Sequence, residues 1–274
     1  MAGLLQRILM AVGLVLAFSL PAHAADEVMR LDKALHFDAV VQILREEGLD
    51  YGRDLDGDML GGEGGAHFAG EIDRIYDAAR ITEVMRAKLA ETMTPEEMAE
   101  CLAFLESPVG QRIMGLEVSA RQAMSDEEVT EIAKASYADA AARGLPRIEM
   151  IARFIKINEL VDRNVAGALS SNYRFLRGMS DGGQRKLSEG EIMDRVWEQE
   201  PDVRKDTIDW MNGFLYMAYG PLSDDEMQAY LDFSASPAGQ KLNKALFSGF
   251  DAAYDRIYYE IGQAAARALS SRDL

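Results

Sequence analysis

Apolar residues recur along the chain at three- and four-residue spacing, and that spacing predicts helix almost everywhere. Between Asp32 and Glu47, Ala34, Phe37, Val40, Val41 and Leu44 fall on one face. A second stripe runs from Phe68 through Ile72, Ile75, Tyr76, Ile81, Val84, Met85 and Leu89. Ile148, Ile151, Ile155, Leu160, Val161 and Val165 form a third, and Ile192, Val196 and Trp197 begin a fourth. Alternating β-branched runs, the mark of half-buried strands, are missing. The fold class expected is therefore all-α. Two stretches interrupt the helical pattern. Asp50–Gly65 carries six glycines among several aspartates and reads as a loop or hinge, and Gly178–Gly190 reads as a second glycine-rich break.

The second half of the chain retraces the first. At a spacing of 120 residues Phe37 falls on Ile157, Val40 on Leu160, Val41 on Val161, Met59 on Met179 and Ile72 on Ile192. Beyond about Gln199 the spacing becomes 129, as if residues had been gained near "EQEPDVRKD". Solenoid repeats are a few tens of residues long, so a period of this size suggests duplication of a whole domain. The expected organisation is two homologous helical-bundle units, residues 25–145 and 146–274. Gly144-Leu145-Pro146 supplies the stop signal between them.

The clearest trace of the repeat is an octapeptide. "FLESPVGQ" occupies Phe104–Gln111 and "FSASPAGQ" occupies Phe233–Gln240. Thr94–Gln111 and Ser223–Gln240 agree at eight of eighteen positions: Glu97/Glu226, Met98/Met227, Leu102/Leu231, Phe104/Phe233, Ser107/Ser236, Pro108/Pro237, Gly110/Gly239 and Gln111/Gln240. Thr94 with Glu97, and Ser223 with Glu226, have the spacing of capping boxes. Met93 with Met98, and Leu222 with Met227, take the two positions of a hydrophobic staple. The helix so started presents Met98, Cys101, Leu102 and Leu105 on one face, matched by Met227, Tyr230, Leu231 and Ser234. Proline disfavours helical geometry in the residue before it, so Ser107-Pro108 and Ser236-Pro237 end that helix. The same pair caps and starts another. Gly110 and Gly239 then permit a close approach, and Gln111 and Gln240 are free to bond across the corner. Phe104 and Phe233 lie off the apolar stripe. Two accounts stand for them: each folds over the corner onto the next helix, or each is a surface anchor for a partner.

A helical chain with F-x-x-S-P-x-G-Q after a T/S-x-E/D-E-M helix start resembles the bacterial secreted family catalogued as domain of unknown function twenty-fifty-nine. The resemblance is tight over Thr94–Gln111 and Ser223–Gln240 and looser in the flanking helices. It implies an all-α exported envelope protein without an established activity, and it carries over no catalytic residue. The position after the phenylalanine, often aromatic in the family, is Leu105 in one stretch and Ser234 in the other.

The N-terminus changes the setting. Arg7, the apolar run Ile8–Leu20 and the A-x-A pattern ending at Ala24 make residues 1–24 a secretory signal peptide, cleaved after Ala24. The apolar run is shorter than a bilayer span, so no membrane insertion is expected after cleavage, and the expected location is the periplasm. Removing the leader removes Arg7 and no acid, which takes the formal charge from −17 to −18. Such a surface repels phosphate backbones, so nucleic acid is not an expected partner. Cys101, the only cysteine, cannot form an internal disulfide and reads as a small buried hydrophobe.

Little catalytic material remains. Only His36 and His67 follow the leader. "DLDGDMLGGEGGAH" offers Asp54, Asp56, Asp58, Glu63 and His67, yet an EF-hand from Asp54 needs glycine sixth and glutamate twelfth, where Met59 and Gly65 stand. "GGEGG" lacks the lysine and the preceding strand of a phosphate loop, and neither G-x-S-x-G nor H-E-x-x-H occurs. No catalytic, cofactor-binding or metal-ligating residue is assigned, and no cofactor is expected. The reading favoured is a non-catalytic binding or interaction module of the cell envelope, its partner an envelope protein or an apolar ligand. The alternatives are an envelope hydrolase using carboxylates around Asp54–His67, and a structural envelope protein.

Overall fold

A computed structural model describes residues 22–184 and 186–272. Most of the expected leader lies outside the described residues. Thirteen α-helices and no strand are found among the described residues. The first seven are α1 (Ala22–Ala34), α2 (Phe37–Leu60), α3 (Gly65–Ile75), α4 (Ala78–Thr92), α5 (Pro95–Leu105), α6 (Pro108–Ala123) and α7 (Glu127–Ala142). The remaining six are α8 (Pro146–Ile157), α9 (Leu160–Gly182), α10 (Glu189–Glu198), α11 (Glu200–Tyr219), α12 (Asp224–Ala235) and α13 (Pro237–Arg272). The all-α expectation holds.

The helices begin and end where the local chemistry directs. Thr94 and Ser223 accept from Glu97 N and Glu226 N, and both glutamates return a carboxylate to the cap residue's N–H. A third capping box, Ser188 with Glu191, starts α10. Met93, Met98, Leu222 and Met227 are all buried, as the staple spacing predicts. So are both four-residue faces that follow. Gly144 closes α7 with φ 64° and Pro146 opens α8.

Three expectations are corrected. The stripe from Asp32 to Glu47 is two helices, parted at His36, which takes left-handed backbone (φ 53°). The Asp50–Gly65 hinge is mostly helix: α2 continues to Leu60, and only Gly61–Gly64 turns. Gly61 and Gly62 make the turn with left-handed backbone, whereas two glycines inside α2 serve packing. A Cβ on Gly48 would stand 2.2 Å from the Tyr76 ring and one on Gly52 2.6 Å from Ile72, so α2 and α3 close to a distance a side chain would forbid. The Gly178–Gly190 break likewise shrinks, because α9 reaches Gly182.

Order and length repeat along the chain. From α1 to α5 the helices hold 13, 24, 11, 15 and 11 residues, and from α8 to α12 they hold 12, 23, 10, 20 and 12. The 36-residue α13 stands in the place of both α6 and α7, which are 16 residues each. Like α1 and α2, α8 and α9 are parted by a non-glycine left-handed residue, Glu159 (φ 52°). The two corners match at a spacing of 123, which sets Phe37 opposite Leu160 rather than Ile157. An apolar stripe with a step of three or four tolerates a slip of three, so the stripe alone does not fix that register.

Packing crosses the midpoint of the chain. α4 lies against α13, while α11 lies against α6 and α7, and α13 also lies along α9. One apolar cluster runs from Val28 to Ala265 and draws on both halves. A small satellite of Val165, Leu169, Ile192 and Val196 sits between α9 and α10.

Candidate functional site

The two octapeptides build the same corner twice. Ser107 Oγ accepts from Gly110 N (3.1 Å) and Ser236 Oγ from Gly239 N (3.0 Å). A Cβ on Gly110 would stand 2.2 Å from Phe104 O, and one on Gly239 2.1 Å from Phe233 O. Glycine thus lets the new helix fold back onto the last turn of the old one. Gln111 Nε2 donates to Leu105 O (2.9 Å) and to Ala34 O (3.1 Å). Gln240 Nε2 donates to Ser234 O (2.7 Å) and to Ile157 O (3.0 Å). Each amide therefore ties its corner to the C-terminal end of α1 or of α8.

The phenylalanines meet each other. Phe104 and Phe233 stack with centroids 4.3 Å apart and planes 9° from parallel. Both are half-buried. Neither expected account describes this: the rings form a contact between the two motifs, on the boundary of the two halves. Phe104 also lies parallel to Tyr230, at 5.9 Å.

Behind Tyr230 a cavity of about 570 Å³ opens among α8, α9, α11, α12 and α13. Phe233, Ser234 and Gly239 border it, so the second octapeptide forms part of its wall. Phe154, Trp210, Phe214, Tyr219 and Tyr230 add aromatic rings to the wall, beside the polar Asn158, Asn164, Thr207 and Asn243. Phe154 meets Tyr230 at 4.9 Å and Tyr219 edge-on at 5.3 Å, and Trp210 stacks on Phe214 at 5.1 Å.

One acid reaches in from α6. Glu117 Oε1 accepts from the Tyr219 hydroxyl (2.6 Å) and from the Tyr230 hydroxyl (2.9 Å). Glu117 is half-buried and lines the cavity. Burial pushes the carboxyl above the usual carboxylate range, and the two phenol hydrogen bonds counter this in part. Burial and the nearby Glu117 hold both phenols far above the ordinary tyrosine value, so they stay protonated and donate. Arg121, one turn along α6, is turned toward Glu47 and lies over the Trp210 ring, 5.0 Å from its centroid.

Sequence reasoning passed over Glu117, Tyr219 and Tyr230 as site residues. A signal for the first was present: Ile113, Met114 and Ala120 are the buried face of α6, and Glu117 stands between them at helical spacing. An acid on an apolar stripe is the informative exception.

A second concavity, of about 950 Å³, lies between α1, α2 and α4. Ala78, Ala79, Ala87 and Ala90 line it beside Val28 and Val41, and no aromatic ring borders it.

The other residues singled out have plainer roles. Cys101 is fully buried, its Sγ donates to Ala238 O (3.3 Å), and burial pushes the thiol up to about 12. Asp56 Oδ1 accepts from Gly64 N (2.8 Å) and closes the turn after α2. Asp54 and Asp58 are exposed, and His67 is an exposed residue facing Glu71 at 3.9 Å. Neither cavity borders any residue of Asp54–His67. Among the described residues no group of three or more His, Cys, Asp or Glu is arranged to hold a metal, and no helix is long and apolar enough to cross a membrane.

Residues 79–136, from α4 through α5 and α6 into α7, match a family model described as an uncharacterised protein conserved in bacteria (DUF2059). That stretch contains the first octapeptide and Glu117. No curated protein and no solved structure matches the chain.

Proposed function

We propose that this is an exported envelope protein that binds a small, largely apolar ligand in the cavity bordered by α8, α9, α11, α12 and α13, without catalysing its conversion. The observation that carries the reading is the cavity itself: aromatic walls around a few convergent polar groups, at a volume typical of small-molecule sites. The carboxyl inside it is held by two phenols, and the cavity's one serine, Ser234, has no histidine in the lining to activate it.

Export rests on the leader, with cleavage after Ala24 and a periplasmic location. Intact mass of the protein recovered from a periplasmic fraction tests it: a chain beginning at Ala25 is expected, and a chain retaining residues 1–24 would refute cleavage there.

Residues 25–145 and 146–274 are read as copies of one ancestral helical unit. Supporting this are the eight shared positions, the repeated order of helix lengths and the twin glutamine bonds to Ala34 O and Ile157 O.

Native mass spectrometry of protein purified without detergent or organic solvent tests the binding reading. A co-purifying species below about 500 Da is the expected outcome, given the cavity's size class. Its loss in Phe214→Ala would place it. Binding confined to a large protein partner, with the cavity empty and indifferent to Phe214→Ala, would refute the small-ligand reading.

A further inference from the structure

The cavity has an electrostatic sign as well as a shape. Its wall carries two acids, Glu117 and, at the rim, the exposed Asp206, and no lysine or arginine. The nearest cation on the same helix, Arg121, is committed to Glu47 and to the Trp210 ring. Lys205, next to Asp206 on α11, pairs with Asp209 at 3.0 Å and lies 3.9 Å from Asp206, so Glu117 is the acid that sets the sign. Both phenols donate to the same oxygen, Glu117 Oε1, and among the described residues no donor lies on Oε2. The carboxyl is thus preoriented, with one oxygen tied back and the other without a protein partner.

Aromatic faces carry negative charge density and attract cations, most strongly where water is excluded. In this wall that preference is already expressed: the guanidinium of Arg121 lies on Trp210. A carboxylate set among electron-rich rings disfavours an anion twice over and leaves a neutral occupant with an unpaired charge beside it.

We infer that the occupant is an organic cation: an ammonium group carried on an apolar or aromatic body, its charge held at Glu117 and its body among Phe154, Trp210 and Phe214. This rests on the binding-module reading above. The empty site keeps Glu117 above the ordinary carboxylate range through burial, and a cation against Oε2 supplies the favourable interaction that burial removes. Binding therefore couples to release of a proton whenever the carboxyl begins protonated.

The test is isothermal titration of the full exported chain with 2-phenylethylammonium and with its neutral counterpart 2-phenylethanol. Tryptophan fluorescence is followed in a Trp197→Phe background, so that Trp210 is the only reporter. At about pH 7.5, where the probe is cationic, the ammonium is expected to bind tighter than the alcohol by about tenfold or more, and to quench Trp210. Glu117→Gln should erase that preference, the ammonium binding no tighter than the alcohol. Should that variant fail to fold, the wild-type pH series gives the same answer. The ammonium's advantage over the alcohol is expected to shrink with acidification as Glu117 takes up its proton. The groups bonded to Glu117 are Tyr219 and Tyr230, both held protonated over that range; Asp206 is the other acid of the cavity wall, and Arg121 on α6 is turned to Glu47. The alcohol binding as tightly as the ammonium would overturn the cation inference and leave the binding module standing. Failure of both probes to bind or to quench Trp210 would overturn both.

Discussion

Phe104 and Phe233 were legible in the sequence as unusual, but not as partners, because no periodicity reports a contact across 129 positions. Their stacking makes a definite prediction. Phe104→Ala and Phe233→Ala should each destabilise by more than about 2 kcal/mol, since each removes a ring from a packed interface. In a double-mutant cycle the pair should also couple by about 0.5–1.5 kcal/mol, the range of aromatic pairs beyond their burial. Additive losses in urea melts would show that the rings pack independently. Glu117 gives the second residue-scale prediction. Its folded pKa is raised by burial, so the folded ligand-free state binds its proton more tightly than the unfolded chain does. The stability it contributes is complete below the unfolded carboxylate value and is lost as pH rises through the folded value. Glu117→Gln should therefore be more stable than wild type at neutral pH, with the gap closing on acidification. Thermal melts across pH check this, and a gap that widens toward acid would contradict the assignment. The place of Glu117 on the buried stripe of α6 was visible beforehand but its partners were not, because they depend on what α11 and α12 place over it.

Element boundaries were most legible where a side chain completes a local hydrogen bond. Thr94, Ser107, Ser223 and Ser236 cap the helices they were expected to cap, and the faces that follow are buried residue for residue. Thr94→Ala and Ser223→Ala should each cost about 1 kcal/mol in chemical denaturation, and equal losses would reflect equal caps. Glycines misled, because the residue type that permits a turn also permits close packing. Gly48 and Gly52 lie inside α2 for the second reason. The same holds where α9 crosses α13: a Cβ on Gly178 would stand 2.2 Å from Tyr259 O, and one on Gly262 2.2 Å from Phe175 O. Alanine raises helix propensity, yet Gly178→Ala or Gly262→Ala should destabilise by about 1–3 kcal/mol, as overpacking does. A gain in melting temperature would show that these helices can move apart at little cost.

At the scale of the whole molecule, sequence reading found the stop at Gly144-Leu145-Pro146 but not how the halves engage. The reason is that stripe patterns mark which face is buried, never against what. The engagement is reciprocal, with α4 on α13 and α11 on α6 and α7. Neither half encloses its own apolar surface. Residues 25–145 expressed alone should lack a cooperative thermal transition, and mixing with 146–274 should restore one. A sharp melt from either fragment alone would establish independent domains instead.

The length of α13 has a temporal consequence. It is made after every other helix described, and it contacts α2, α3, α4, α5, α9 and α12. A nascent chain emerging from its N-terminus must keep α4 and α9 waiting, apolar faces open, until these 36 residues are free. Closure of the core is thereby deferred until long after α4 has been made. On the export reading proposed above, a chain that must pass a translocation channel extended gains from a fold that cannot finish early.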